Sequence, residues 1–238
     1  MELKYDLHIH SCLSPCGDNE MTPENIAGMA YINALDAVAL TDHNTCKNCE
    51  AFLAATKKHG ILGICGMELT TSEEIHVLWL FESLESAMRF DAFVEQHLLK
   101  VKNQIRIYGN QLLYAPGDRC IGEYENLLIS GTDLSFEKMP QLQKQFGGIY
   151  MPSHVEKKTT SLISSLGMIP PDSEFLVYEL NHPREHDRLC ALHPYLKGKQ
   201  YLTNSDAHQL IDMKTEDNCG IIEVAEKSYE GLKRSLLS

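Results

Sequence analysis

Acids and imidazoles punctuate the ends of nearly every apolar run in this chain. Asp6-Leu7-His8-Ile9-His10 closes the first run, and Thr41-Asp42-His43-Asn44 follows Ala37-Val38-Ala39-Leu40. Glu68 follows Ile61-Leu62-Gly63-Ile64, and His76 opens Val77-Leu78-Trp79-Leu80-Phe81. Ser153-His154 follows Ile149-Tyr150-Met151, and Ser205-Asp206-Ala207-His208 follows Tyr201-Leu202. Side chains two apart on a strand point the same way, so His8 and His10 aim both rings at one point, and Asp206 and His208 do likewise. Parallel strands of a barrel converge at their C-terminal ends, which lets His8, His10, Glu68 and Asp206 surround one ion. This mix of imidazole and carboxylate suits zinc, manganese or iron better than magnesium or calcium.

The intervening sequence supplies the scaffold. Apolar β-type runs at 3–9, 37–41, 61–67, 75–81, 148–152, 175–180, 200–204 and 219–224 alternate with helical patterns at 23–33, 45–59, 84–100, 136–146 and 229–237. That alternation is the signature of βα units around a parallel sheet. Thr22-Pro23 is a helix start, with Thr at the cap and Pro in the first turn. Residues 103–134 break the rhythm with turn chemistry, as in Ala115-Pro116-Gly117-Asp118, and read as a hairpin insertion. The 238 residues are expected to fold as one α/β domain, 1–238.

Thirty-three acids against 21 bases give a net charge of −12, which disfavours broad attraction to nucleic acid or an anionic membrane. No membrane span is read, and the start lacks the basic and apolar regions of a signal peptide. Together with eight cysteines, this points to a reducing, cytoplasmic setting. Cys12-x3-Cys16 and Cys46-x2-Cys49 each follow a candidate ligand motif, so both pairs are placed near one mouth. They read as packed thiols, a redox pair, or ligands of a separate zinc or iron–sulfur cluster. Cys65, Cys120, Cys190 and Cys219 read as core thiols.

The opening Asp6-Leu7-His8-Ile9-His10-Ser11, the Thr41-Asp42-His43-Asn44 turn, Gly66-Met67-Glu68, Pro152-Ser153-His154 and Ser205-Asp206-Ala207-His208 resemble the successive motifs of the PHP (polymerase and histidinol phosphatase) metallohydrolases. The resemblance runs from about residue 3 to 226. It implies a distorted (β/α)7 TIM-like barrel and two or three divalent ions that serve phosphate-ester hydrolysis. His8, His10, Glu68 and Asp206 would hold the first ion, and Glu68 would bridge to a second held by His76 and His154. Asp18, His43 and His208 would hold the third, with Glu20 as the alternative to Asp18.

Glu68 and Asp206 are the expected catalytic carboxylates, Asp206 orienting the attacking water or taking its proton. Fixed cations for the phosphate are sought in Arg184, Arg119 and Lys157-Lys158, with His182 near the same mouth. The expected substrate is a small phosphorylated metabolite or nucleotide. A phosphodiesterase or 3′–5′ exonuclease acting on nucleic acid, and a non-catalytic metal-binding module, are the alternatives.

Overall fold

The computed structural model describes residues 1–237. Strand β1 (Glu2–Ile9) leads through α1 (Pro23–Ile32), β2 (Ala37–Leu40) and α2 (Cys49–Lys58) to β3 (Leu62–Thr70) and β4 (His76–Phe81). Helix α3 (Leu84–His97) precedes a short α4 (Ile105–Tyr108) and the two strands β5 (Leu112–Ala115) and β6 (Arg119–Glu123). Then come α5 (Met139–Phe146), β7 (Ile149–Pro152), α6 (Leu162–Leu166) and β8 (Val177–Glu179). Helix α7 (His186–Leu192), β9 (Gln200–Leu202), β10 (Gly220–Glu223) and α8 (Tyr229–Leu236) complete the order.

Six strands form one α/β sheet in the order β10-β1-β2-β3-β4-β7, while β8 and β9 make a separate parallel pair. That pair lies between the sheet's ends: the Val155 amide donates to the Glu179 carbonyl, Leu180 to Leu202, and His10 to Ala207. The sheet therefore curls toward a barrel. Strict parallel alternation does not hold, because β4 is antiparallel to both β3 and β7, and β10 is antiparallel to β1. The reason is connection length. Residues 71–75 are too few for the dozen or more that a parallel crossover needs.

Period-two burial divides the strands into two layers. Leu3, Tyr5, Leu7, Ile64, Leu78, Leu80, Met151, Val177 and Leu202 share one core, enclosed by the curl and extended by Tyr229, Leu232 and Leu236 of α8. On the opposite face of β3 and β4, Met67, Leu69, Val77 and Trp79 pack with Phe90 and Val94 of α3. Glu68 alternates with Met67 and Leu69, so it shares the inner face with Ile64. On β1 a register shift between Asp6 and Ile9 interrupts the alternation. Bulges re-aim side chains in this way. Here Leu7 joins the inner core, Ile9 packs outward with Met21 and Ile26, and His8 meets the inward carboxylates described below.

Local chemistry explains most boundaries. Thr22 accepts the Asn25 amide at the start of α1, as its sequence leads one to expect. Helix α2 begins later than residue 45, because the Thr45 hydroxyl and Cys46 amide both donate to Asp91 of α3, at 2.7 Å each, and hold that segment outside the helix. The insertion forms its hairpin from β5 and β6. It is tied to the body by Asn44, whose amide donates to the Leu128 and Ser130 carbonyls and whose oxygen accepts from Thr70. Among the described residues, no helix is long and apolar enough to cross a membrane.

Candidate metal centre

Glu68 is the hub of the structure's polar interior. Its carboxylate is fully buried and lies 3.0 Å from His76 Nδ1, 3.1 Å from His43 Nδ1, 3.3 Å from the Nε2 atoms of His8 and His10, and 3.4 Å from His154 Nε2. The five rings form a closed circuit around it. Their centroids are 5.1 Å apart for His8–His10, 4.5 Å for His10–His43, 5.1 Å for His43–His76, 5.5 Å for His76–His154 and 6.1 Å for His154–His8. Asp206 joins from the other end of the chain, with Oδ1 at 3.3 Å from both His8 and His10. Backbone strain marks the same place. His154 and Asp206 hold left-handed φ angles of 30° and 54°, conformations that non-glycine residues keep only where their surroundings impose them.

Among the described residues, three groups of donors have ligand atoms within 4.8 Å of one another: His8, His10, Glu68 and Asp206; His43, Glu68 and His76; and His10, Cys16, His43 and His208. Buried polar atoms almost always find partners. Yet both Glu68 oxygens, His43 Nδ1, His76 Nδ1 and both nitrogens of His154 are buried without a hydrogen bond. Lone pairs converging on a common space fit divalent ions, and this donor set is the kind that zinc, manganese or iron accept.

A supporting ring fixes the imidazoles. His8 Nδ1 donates to both Glu179 oxygens at 3.0 Å, leaving Nε2 with its lone pair toward Glu68 and Asp206. Glu179 also accepts from the Asn204 side chain at 2.7 Å and the His154 amide at 3.0 Å. His10 Nδ1 donates to Ser14 Oγ at 3.0 Å, and that hydroxyl donates to buried Asp42 at 2.7 Å. His208 Nδ1 donates to the Asp206 carbonyl at 2.7 Å. Such partners orient metal-ligating histidines in general. Sequence reasoning missed Glu179, although an acid closing the apolar run of β8 is the same signal that picked out Glu68.

Electrostatics follow from this packing. Burial pushes the Glu68 carboxyl up, but the imidazoles of His76, His8 and His43 outweigh it and hold the group well below the usual range. Burial likewise opposes the protonated His8, yet Glu179, Glu68 and Asp206 raise it well above an ordinary histidine. His10, opposed by burial and supported by Asp206 and Glu68, rises to about 9. His208 falls to about 4 through burial and the charge of His10, and His43 falls for the same reasons. Histidine ligates as the neutral ring, so His8 and His10 would have to lose protons to hold a cation. Zinc binding at neutral pH should release protons and tighten as pH rises toward about 9. Titration calorimetry in buffers of different ionisation enthalpy checks this, and buffer-independent heats would contradict it.

The remaining expected residues divide. Lys157 Nζ reaches Asp206 Oδ2 at 2.9 Å. Arg184, His182 and Arg119 are exposed, and the His182 amide donates to Glu156. Asp18 is exposed, its carboxylate accepts the Glu20 amide, and it joins none of the three groups. Two successive turns, Ser14 N–H to Ser11 and Gly17 N–H to Ser14, wind the loop so that Cys16 faces the histidines instead. Gly17 permits the winding, since a Cβ there would lie 2.3 Å from the Ser11 carbonyl oxygen. Glu20 is exposed as well and belongs to none of these groups.

The cysteine pairs also separate. Cys46, Cys49 and Cys65 are buried, the first two donating to the Gly66 carbonyl, while Cys12 is buried elsewhere and Cys16 is exposed at the centre. Cys120, expected in the core, is exposed on the hairpin, and Cys219 is half-buried.

Known proteins are similar to this chain in sequence or in fold. A 5′-3′ exoribonuclease of Haemophilus influenzae is 36% identical over 83 residues, covering 34% of this chain and 29% of that protein. The lesion-specific endonuclease EndoQ of Pyrococcus furiosus superposes on all of this chain with a TM-score of 0.70 at 20% identity, over 56% of its own length. A protein of Bifidobacterium adolescentis described as a metal-dependent phosphoesterase gives 0.60 at 17% identity, covering 98% of this chain and 95% of its own. The chain thus spans about half or less of the two nucleases and nearly all of the third protein. The family model described as PHP domain matches residues 6–167, more than half of the sequence, and the chain belongs to that family.

Proposed function

We propose that this protein is a metal-dependent phosphoesterase, acting first on a small phosphomonoester such as a phosphorylated metabolite or nucleotide. The observation that carries this reading is the buried Glu68 ringed by five histidines, with its oxygens and four of their nitrogens unpartnered. His8, His10, Glu68 and Asp206 would hold one ion, and Glu68 would bridge to another held by His76 and His154. His43 and His208 lie beside a third position. The seven-strand closure of a distorted (β/α)7 barrel belongs to the same reading, with β8 and β9 filling the gap between β7 and β1. When bound, the ions supply Lewis acidity and charge neutralisation for a phosphoryl centre.

The chain's own groups divide the remaining work. Asp206 orients the attacking water through Oδ2, the oxygen other than the one at 3.3 Å from His8 and His10. Lys157, now on that oxygen, is the nearest fixed cation for a phosphate. Lys157→Ala should raise KM on the order of ten-fold with a smaller change in kcat, as loss of ground-state binding does. An unchanged KM would remove Lys157 from the substrate site.

A second reading, hydrolysis of nucleic-acid phosphodiesters, is favoured by the named activities of the two nuclease relatives. The net charge of −12 and the single lysine at the centre weigh for the smaller substrate. The test is turnover by zinc-, manganese- and iron-loaded protein on phosphorylated metabolites, mononucleotides, short RNA and DNA, and abasic duplex. Hydrolysis of the small esters supports the first reading. Hydrolysis confined to polymers establishes the second, and none at all leaves a metal-binding module.

A further inference from the structure

We infer that Cys16 is a thiolate ligand of the third metal position, making it a mixed sulfur–nitrogen site with His43 and His208. The inference rests on reading the cluster as a metal centre, and it goes further by naming a donor of different chemistry. Cys16 Sγ lies within 4.8 Å of ligand nitrogens of His10, His43 and His208. The arrangement is built. The turns through Ser11, Ser14 and Gly17 place the cysteine, the Asp18 amide donates to the His208 carbonyl at 2.9 Å, and the His43 amide donates to Ser14 at 3.1 Å. Loop and histidines are therefore held to one another. His43 is buried with Nδ1 unpartnered, and His208 Nδ1 is engaged by a carbonyl, which leaves Nε2 as its ligand atom. The carboxylate nearest in sequence, Asp18, is spent on its own turn. No oxygen donor replaces sulfur in this group.

The chemistry has a consequence for metal choice. A thiolate with two imidazoles favours zinc, iron or cobalt over manganese and magnesium, which prefer oxygen. The third position should thus discriminate among ions more sharply than the two positions around Glu68, whose donors are imidazoles and carboxylates.

Cobalt(II) titration of the chelator-stripped protein, followed by absorption and by equilibrium dialysis, tests this without using activity. Wild-type protein should develop the intense near-ultraviolet sulfur-to-cobalt charge-transfer band together with the visible bands of imidazole-ligated cobalt. Cys16→Ser should lose the charge-transfer band and keep the visible ones. Cys16→Asp should retain the third ion without the band and shift that position's preference from zinc toward manganese. Because Cys16 is exposed, both metal-free variants should melt as wild type does. Cobalt bound by wild type with no charge-transfer band, or a band that survives in Cys16→Ser, overturns the assignment and leaves the metal-centre reading intact. Failure of wild type to bind cobalt in dialysis overturns both.

Discussion

Glu68→Gln should lower phosphoester turnover on the order of 10⁴-fold, about 5.5 kcal/mol of transition-state stabilisation. The glutamine keeps the shape and removes the charge that lies within 3.4 Å of five histidines. It cannot bridge two cations as a carboxylate does, so metal content should fall with activity. The metal-free protein should also lose stability, because removing one partner from a buried ionic cluster costs about 3–5 kcal/mol. The sign of its pH dependence follows from the depressed carboxyl. That contribution is fully present above the ordinary glutamate value of 4.5 and is lost as pH falls through the lower folded value. The deficit of the variant should accordingly be largest near neutrality and shrink in acid. Urea denaturation of stripped protein across that range, with metal analysis alongside, checks both parts. A variant that retained wild-type metal and turnover would place the centre elsewhere.

Glu179→Ala should weaken metal binding about 10–100-fold without removing a proposed ligand. Glu179 holds three groups at once: His8 Nδ1, the Asn204 side chain and the His154 amide. Truncation frees the His8 ring to rotate and lets the opposite tautomer form, which hides the lone pair from the centre. It also releases the strained His154 backbone, so two proposed ions lose a positioned donor. Breaking this buried network should cost about 3–5 kcal/mol in the metal-free protein as well. Glu179→Gln separates the effects, since it can still accept from one ring nitrogen but carries no charge. Competition against a chromophoric chelator reads the affinity, and wild-type affinity in Glu179→Ala would show that the carboxylate serves packing alone.

Much of the centre was readable because its donors sit where apolar runs end. His8, His10, His43, Glu68, His76, His154, Asp206 and His208 all come together. What escaped was set by backbone geometry rather than residue type. Asp18 is implied only by the resemblance, whereas the two tight turns closing at Ser14 and Gly17 bring Cys16 beside His10, His43 and His208. The reversal of β4 could have been read from the brevity of residues 71–75, whereas the bulge in β1 has no marker in Asp6-Leu7-His8-Ile9. Glu179 lacked a neighbouring imidazole to draw attention to it. The short α7 was missed because a 3-10 turn runs straight into it at His186, with no side-chain cap to announce a start.

The stitching of β1 to distant sequence sets a timetable for biosynthesis. Asp6 accepts from the amides of Ser205 and Lys214, Leu7 donates to Asn204, and β10 pairs along the strand. During vectorial synthesis β1 emerges from the ribosome before these companions exist, so its two histidines must wait for about two hundred further residues. The proposed ligand set is therefore completed only once residues 204–208 have emerged and docked on β1.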